Sequence, residues 1–365
     1  MKRSIRISIF AAALAALAIA LAFSAHGLLA GQAQAAGSEP VPALIPYVEA
    51  HTHFDSDNPA GSVQIALAAL KPQNAAMIFL QTPPDTFDRA GTIDAEVILP
   101  FTKKYPGKLG VLGGGGSLNP MIMKSVATGD AGPEIQKKFK ARAEELLRAG
   151  VIGFGEMSAE HFDGATPYEY APADHPLYLL LADIAAKNGV PIDIHMEAVP
   201  MDMPLPAGLK SPPNAPQLHA NIAAFERLLA HNPHAKIIWA HAGSDNTGYR
   251  TPDLCRRLLL AHPNLYMEIK TDPLLNGITY PLADGRIKPE WLQLFVDFQD
   301  RFIIGTDQHY PQPKTPEQRW QTAVNLLNQL PANVRQKIAT DNVRHIYPRA
   351  YARNRATSSS SAEKN

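Results

Sequence analysis

The segment VEAHTHFD, Val48 to Asp55, sets His51 and His53 two residues apart at the end of a short apolar run. Alternate side chains of a strand share a face, so both imidazoles could reach one ion. A pair of this kind is weak evidence alone, because a buried strand also carries histidines that merely alternate. Four further positions change the weighing. Glu156 closes VIGFGE, His195 closes PIDIH, His241 closes KIIWAH and Asp307 closes FIIGTD. Each is a ligand-type side chain ending an otherwise apolar stretch, and a purely structural reading needs a separate reason for every one. Imidazole nitrogen and carboxylate oxygen suit zinc first, with manganese or iron as alternatives, and such a set leaves coordination positions for water.

The elements that must position these residues follow from the patterning. Eight apolar, often β-branched stretches end in glycine or polar residues: Tyr47–His53, Ala75–Gln81, Leu109–Gly113, Val151–Met157, Pro191–Glu197, Lys236–Gly243, Asn264–Lys270 and Phe302–Gln308. Between them the periodicity predicts helices over Ser62–Leu70, Pro133–Ala149, His175–Asn188, Leu218–His231 and Pro252–Ala261, with Gly150 and Gly189 as stops. Strands alternating with helices imply parallel pairing. Eight such units predict an α/β fold, a (β/α)8 TIM barrel forming a single domain over residues 40–350, with a doubly wound open sheet as the rival. Gly113–Gly132, which opens with four glycines, and Glu197–Pro216 read as βα-loop insertions over the catalytic face.

In that frame the candidates fall on strands one, four, five, six and eight. This arrangement resembles the amidohydrolase superfamily: H-x-H on strand one, Lys or Glu on strand four, His on strands five and six, Asp on strand eight. The segment DNVRHIYP, Asp341 to Pro348, looks like the closing segment of the family 2 branch. The resemblance spans nearly the whole chain after residue 40. It implies that His51, His53, His195 and His241 are metal ligands and that Asp307 is a ligand or the general base. Many members carry a carbamylated lysine on strand four. Here Glu156 takes that place, so it either bridges two ions or, beside a single one, stands behind a ligand or contacts the substrate.

The expected activity is metal-dependent hydrolysis of an amide, ester, lactone or similar bond in a small molecule, through water whose pKa is lowered toward about 7. Asp307 would carry the proton from that water to the leaving group. His195 would contact metal or substrate oxygen. Non-oxidative decarboxylation, known in the same family, is the alternative, and a non-catalytic metal- or ligand-binding module is the third reading. Asp55 and Asp57 follow the histidine pair but are also ordinary turn formers. Lys270 could orient an anionic substrate, His309 could line the site, and His161, His175, His219, His231, His234 and His262 read as surface positions in helices or loops. The four glycines of Gly113–Gly116 lack the Lys-Ser/Thr of a P-loop.

Lys2, Arg3 and Arg6 precede an apolar run, Ile7 to Phe23, and Ala33-Gln34-Ala35 offers small residues where a signal peptidase cuts. A cleaved signal at 1–35 implies export, to the periplasm or outside the cell, with no stable membrane anchor. The chain has 34 basic and 34 acidic residues, and removing those three basic residues and no acid leaves −3. That balance excludes strong electrostatic binding of nucleic acid; a small-molecule substrate and a homo-oligomer are compatible with it. Cys255 is the single cysteine, so no intramolecular disulfide can form. Residues 351–365, rich in serine, read as a disordered tail.

Overall fold

Eight parallel strands alternate with helices in the computed structural model, which describes residues 45–86, 94–162, 169–206, 216–271, 279–310 and 318–352. The strands are β1 Tyr47–Phe54, β2 Ala75–Gln81, β3 Leu109–Gly114, β4 Gly153–His161, β5 Pro191–Met196, β6 Lys236–Ala242, β7 Leu265–Ile269 and β8, which comes in two pieces, Phe302–Ile304 and Gln308–Tyr310. The first piece of β8 pairs with β7, Glu268 beside Ile303, and the second pairs with β1, His53 beside His309. The sheet therefore closes on itself through a broken strand. The fold is a (β/α)8 barrel.

The break in β8 is the main departure from the expected strand Phe302–Gln308. At Gly305–Asp307 the chain leaves the ladder, and Asp307 takes a left-handed φ of 57°. Its backbone N–H donates to His51 O at 2.9 Å, while the Thr306 N–H donates to the buried carboxylate Glu49 Oε1 at 2.8 Å. The backbone donors at the break thus keep partners, which a buried backbone requires.

The helices pack outside. They are α1 Pro59–Gln73, α2 Leu118–Thr128, α3 Pro133–Ala149, α4 Pro176–Asn188, α5 Ile222–His231, α6 Pro252–Ala261, α7 Pro289–Asp297 and α8 Gln318–Asn328, with a short helix at Leu99–Thr102. α3 shows why such segments fold as they do. Pro133 stands in its first turn with Glu134, Arg148 in its last, and Gly150 ends it at φ 112°. Phe139, Ala143, Leu146 and Leu147 recur at helical spacing and are buried, each large side chain contributing about 1.5–3 kcal/mol of transfer free energy.

Two core layers result, beside a small cluster of Phe162, Val199, Leu205 and Leu218. The larger lies between strands and helices. The smaller takes Val48, Met77, Phe79, Leu112, Ile238, Tyr266 and Ile303 from successive strands and is closed by Val343, Ile346 and Tyr347 of the C-terminal segment. That apolar plug fills one end of the barrel and leaves the other for chemistry.

The predicted insertion Gly113–Gly132 is not a bare loop: α2 occupies most of it. Of Glu197–Pro216, Met203–Pro204 pairs antiparallel with Gln217–Leu218, and residues 207–215 lie outside the described residues. Tyr351 and Ala352, expected in the tail, are helical; the remainder of that tail and the predicted signal also lie outside the described residues. Among the described residues no helix is long and apolar enough to cross a membrane.

Candidate active site

His51 and His53 enter the barrel from β1 because the strand carries an irregularity. The register with β2 shifts between Glu49 and Thr52, so Ala50 packs into the interior plug and His51 still turns toward the axis one residue later. The two Nε2 atoms stand 3.3 Å apart.

Glu156 rises from β4 between two groups of histidines. Its Oε1 lies 2.9 Å from His195 Nδ1 and 3.1 Å from His241 Nε2. Its Oε2 lies 3.3 Å from His53 Nε2 and 3.6 Å from His51 Nε2. Asp307 completes the first group, with Oδ1 3.0 Å from His53 Nε2. All six predicted residues therefore converge at one end of the barrel, and their ligand atoms form overlapping triads, among them His51–His53–Glu156, Glu156–His195–His241 and His51–His241–Asp307.

Close backbone approach makes the convergence feasible. A Cβ on Gly115 would sit 2.8 Å from both Glu156 O and Thr82 O, so the loop after β3 can pass beside Glu156 only as glycine. His241, like Asp307, holds a left-handed φ, at 64°. Left-handed backbone in non-glycine residues costs of order 1–3 kcal/mol and persists where the surroundings over-determine it. For His241 those surroundings include Arg250, which is fully buried, lies 3.9 Å over the Trp239 ring and donates to Trp239 O at 2.8 Å and to Ala240 O.

The electrostatics favour the ionised forms of Glu156 and Asp307. Burial would raise Glu156, but the charge of His51 and hydrogen bonds from His195 and His241 hold it well below the usual range. Burial likewise opposes ionisation of Asp307, and the Lys270 ammonium with His53 outweighs it, leaving Asp307 low. Burial lowers His195, yet hydrogen bonds to Glu156 and Glu197 lift it to about 9. His241 goes the other way, well down, from burial and from the positive charge of Lys270.

The donor set fits a divalent cation. Two imidazole Nε2 atoms 3.3 Å apart beside carboxylate oxygens, all buried, form the nitrogen–oxygen cage that zinc-class ions occupy.

One of the discounted histidines is placed differently from expectation. His161 is not a surface histidine of a loop: it ends β4, and its ring meets that of His195 edge-on with centroids 4.5 Å apart. His309 lines the site as expected, its ring 4.6 Å from that of His53. Lys270 points its Nζ at Asp307 Oδ2, 2.7 Å away. Asp55 and Asp57 are exposed, and Asp55 Oδ1 accepts from the Asp57 N–H, so they form a turn. The reading of the sequence missed two carboxylates altogether: Asp193 Oδ2 and Glu268 Oε2 lie 3.1 and 3.0 Å from His51 Nδ1. Their signal was available, since each is a lone acid inside an otherwise apolar strand.

The amidohydrolase family model matches residues 126–349, more than half of the chain. No curated protein matches the sequence. Among solved structures, a PTE-like lactonase variant from Deinococcus radiodurans is similar at 15% identity, covering 84% of this chain and 96% of that one with a TM-score of 0.46. An organophosphorus hydrolase variant from the same organism is similar at 17% identity, with 84% and 94% coverage and a TM-score of 0.47. An amidohydrolase 2 from Bifidobacterium longum subsp. infantis is similar at 10% identity, with 83% and 99% coverage and a TM-score of 0.40. With the family model running from the end of α2 to the C-terminal segment, the chain belongs to the amidohydrolase family and is a metal-dependent hydrolase.

Proposed function

We propose that the protein hydrolyses an amide, ester or lactone bond of a small molecule at a two-ion centre, with zinc as the resident metal. His51, His53 and Asp307 would hold one ion, His195 and His241 the other, and Glu156 would bridge them. The observation that carries this reading is the division of Glu156: one carboxylate oxygen faces His51 and His53, the other faces His195 and His241. A single-ion site gives no reason for that division. Bound ions of this class supply water of lowered pKa and polarise the carbonyl under attack.

The remaining work belongs to the side chains. Asp307, ionised at neutral pH, accepts the proton of the attacking water on Oδ1 and passes it to the leaving group. Lys270 engages Oδ2 and leaves Oδ1 facing the histidines. His161 packs edge-on against His195 and His309 lies tilted against His53, and these contacts hold the two rings in place. We infer an exported protein, acting in the periplasm on a diffusible substrate.

A panel of small amides, esters and lactones, assayed with the zinc-, manganese- and iron-reconstituted protein, tests the reading. Hydrolysis abolished by chelation and by Asp307→Asn is the expected result. Release of carbon dioxide from carboxylated substrates in its place would assign a lyase, and binding of metal without turnover of any substrate would leave a binding module.

A further inference from the structure

Beneath the proposed metal centre, on the side facing the barrel's apolar plug, lies a second carboxylate layer that the hydrolytic reading does not use. Glu268 of β7 and Asp193 of β5 are wholly shielded from solvent. Glu268 Oε2 is 3.0 Å from His51 Nδ1, and its Oε1 is 3.5 Å from His241 Nδ1. Asp193 Oδ2 is 3.1 Å from His51 Nδ1. Glu268 therefore repeats from below what Glu156 does from above. Glu156 meets the Nε2 atoms of His51 and His241, at 3.6 and 3.1 Å, and Glu268 meets the Nδ1 atoms of the same two rings. Asp193 reaches His51 alone.

The backbone makes room for this arrangement. A Cβ on Gly305, at the break in β8, would lie 2.2 Å from Glu268 Cδ and 2.5 Å from Oε1. No real side chain tolerates that approach, so the break that presents Asp307 also opens the space that holds the Glu268 carboxyl. Burying carboxylates in a barrel interior costs several kcal/mol each unless they meet partners, which makes an idle role for this layer physically expensive.

We propose that Glu268 is a positioning residue shared by both metal sites: it accepts from Nδ1–H of His51 at 3.0 Å, and its Oε1 and His241 Nδ1, buried 3.5 Å apart and each without a hydrogen-bond partner among the described residues, close on each other when an ion holds His241 by Nε2, while Asp193 reinforces the His51 side only. The proposal rests on the two-ion reading above. A carboxylate behind a ligating histidine fixes its tautomer and ring orientation, and removing it typically weakens metal binding about 10–100-fold. The two carboxylates differ in reach, so their loss should differ in pattern.

The experiment measures zinc stoichiometry and affinity by competition with a chromophoric chelator on the full chain, for the parent, Glu268→Gln, Asp193→Asn and Gly305→Ala. The parent should hold two ions. Glu268→Gln should weaken both by about 10–100-fold, Asp193→Asn should weaken one and spare the other, and Gly305→Ala, which displaces the carboxyl without replacing it, should follow Glu268→Gln. A Glu268→Gln protein that binds both ions as tightly as the parent, or loses only one, overturns the proposal. A parent that binds no zinc sinks the two-ion reading instead, so the failures are distinguishable. Should the variants not fold, the zinc-loaded parent with 15N-labelled histidine serves alone: Nδ1–H signals of His51 and His241 shifted downfield and protected from exchange support shared acceptance, and free exchange at either ring contradicts it.

Discussion

Lys270 Nζ lies 2.7 Å from Asp307 Oδ2, on the far side of the carboxyl from Oδ1, which sits 3.0 Å from His53 Nε2. One oxygen of the proposed proton carrier is thereby tied to an ammonium and the other left for chemistry. An opposite charge at this range lowers a carboxylate pKa by about 1–3. Lys270→Met should let Asp307 rise, and the acid limb of the kcat/KM profile should move up by about 1–3 pH, with Lys270→Arg close to the parent. A pH–rate series on the three proteins checks this; an unmoved acid limb would mean that Asp307 does not carry the proton.

Asp307→Asn keeps the shape of the side chain and removes its basicity. The expected loss in kcat is about 10²–10⁴-fold, the usual worth of a positioned acid–base group. Steady-state kinetics beside a thermal melt separates this from misfolding: loss of the Lys270 ion pair should lower the midpoint, while a single cooperative transition shows that the variant is folded.

Metal uptake should release protons. His195 stands near 9 without metal, so it is largely protonated at neutral pH and must lose its proton to bind an ion. Affinity for zinc should therefore climb with pH until about 9 is passed and then level off. Zinc titration in weak buffer at pH 7, followed with an indicator dye, should show at least one proton released per chain; no release would contradict the assignment of His195 as a ligand.

Glu49 makes a stability prediction independent of catalysis. Burial raises it from 4.5 to about 7, against hydrogen bonds from Thr306 and His51 that lower it. Between those values the folded chain holds a proton that the unfolded chain has lost, so stability falls as pH rises through that window. The loss is on the order of 3 kcal/mol when complete. Glu49→Gln keeps an acceptor for the Thr306 N–H and should flatten the slope, read from urea midpoints of the metal-free protein between pH 5 and 8 (roughly the range of maximal stability for most proteins).

Arg250 offers the sharpest structural test. Its planar fork serves two backbone carbonyls while stacking on Trp239. Lysine cannot reproduce that geometry, so Arg250→Lys should cost about 2 kcal/mol in denaturant unfolding and loosen the end of β6 that carries His241.

Much of this was legible in the sequence because the barrel writes itself as a rhythm. Apolar strands ended by a ligand-type residue gave six site positions, and the helices Pro133–Ala149 and Pro252–Ala261 were readable to the residue from proline starts and a glycine or a change of periodicity at the end. The break in β8 was not legible, since it depends on Glu49 meeting Thr306 from a strand 257 positions away. His161 was misplaced because β4 runs on to that residue, past the glycines and the glutamate that read as its end. Asp193 and Glu268 were not legible as site residues from strand ends, because each stands two positions earlier on the same face of its strand. The division of Glu156 between two histidine groups is a matter of geometry that no spacing encodes.

The central claim is that Glu156 joins two ions, and counting them is the direct test. Elemental mass spectrometry on the protein reconstituted with zinc should give two equivalents per chain, falling to one or fewer in Glu156→Ala with the fold retained. One equivalent in the parent, unchanged in the variant, would contradict the bridging role, and none would remove the metal centre itself.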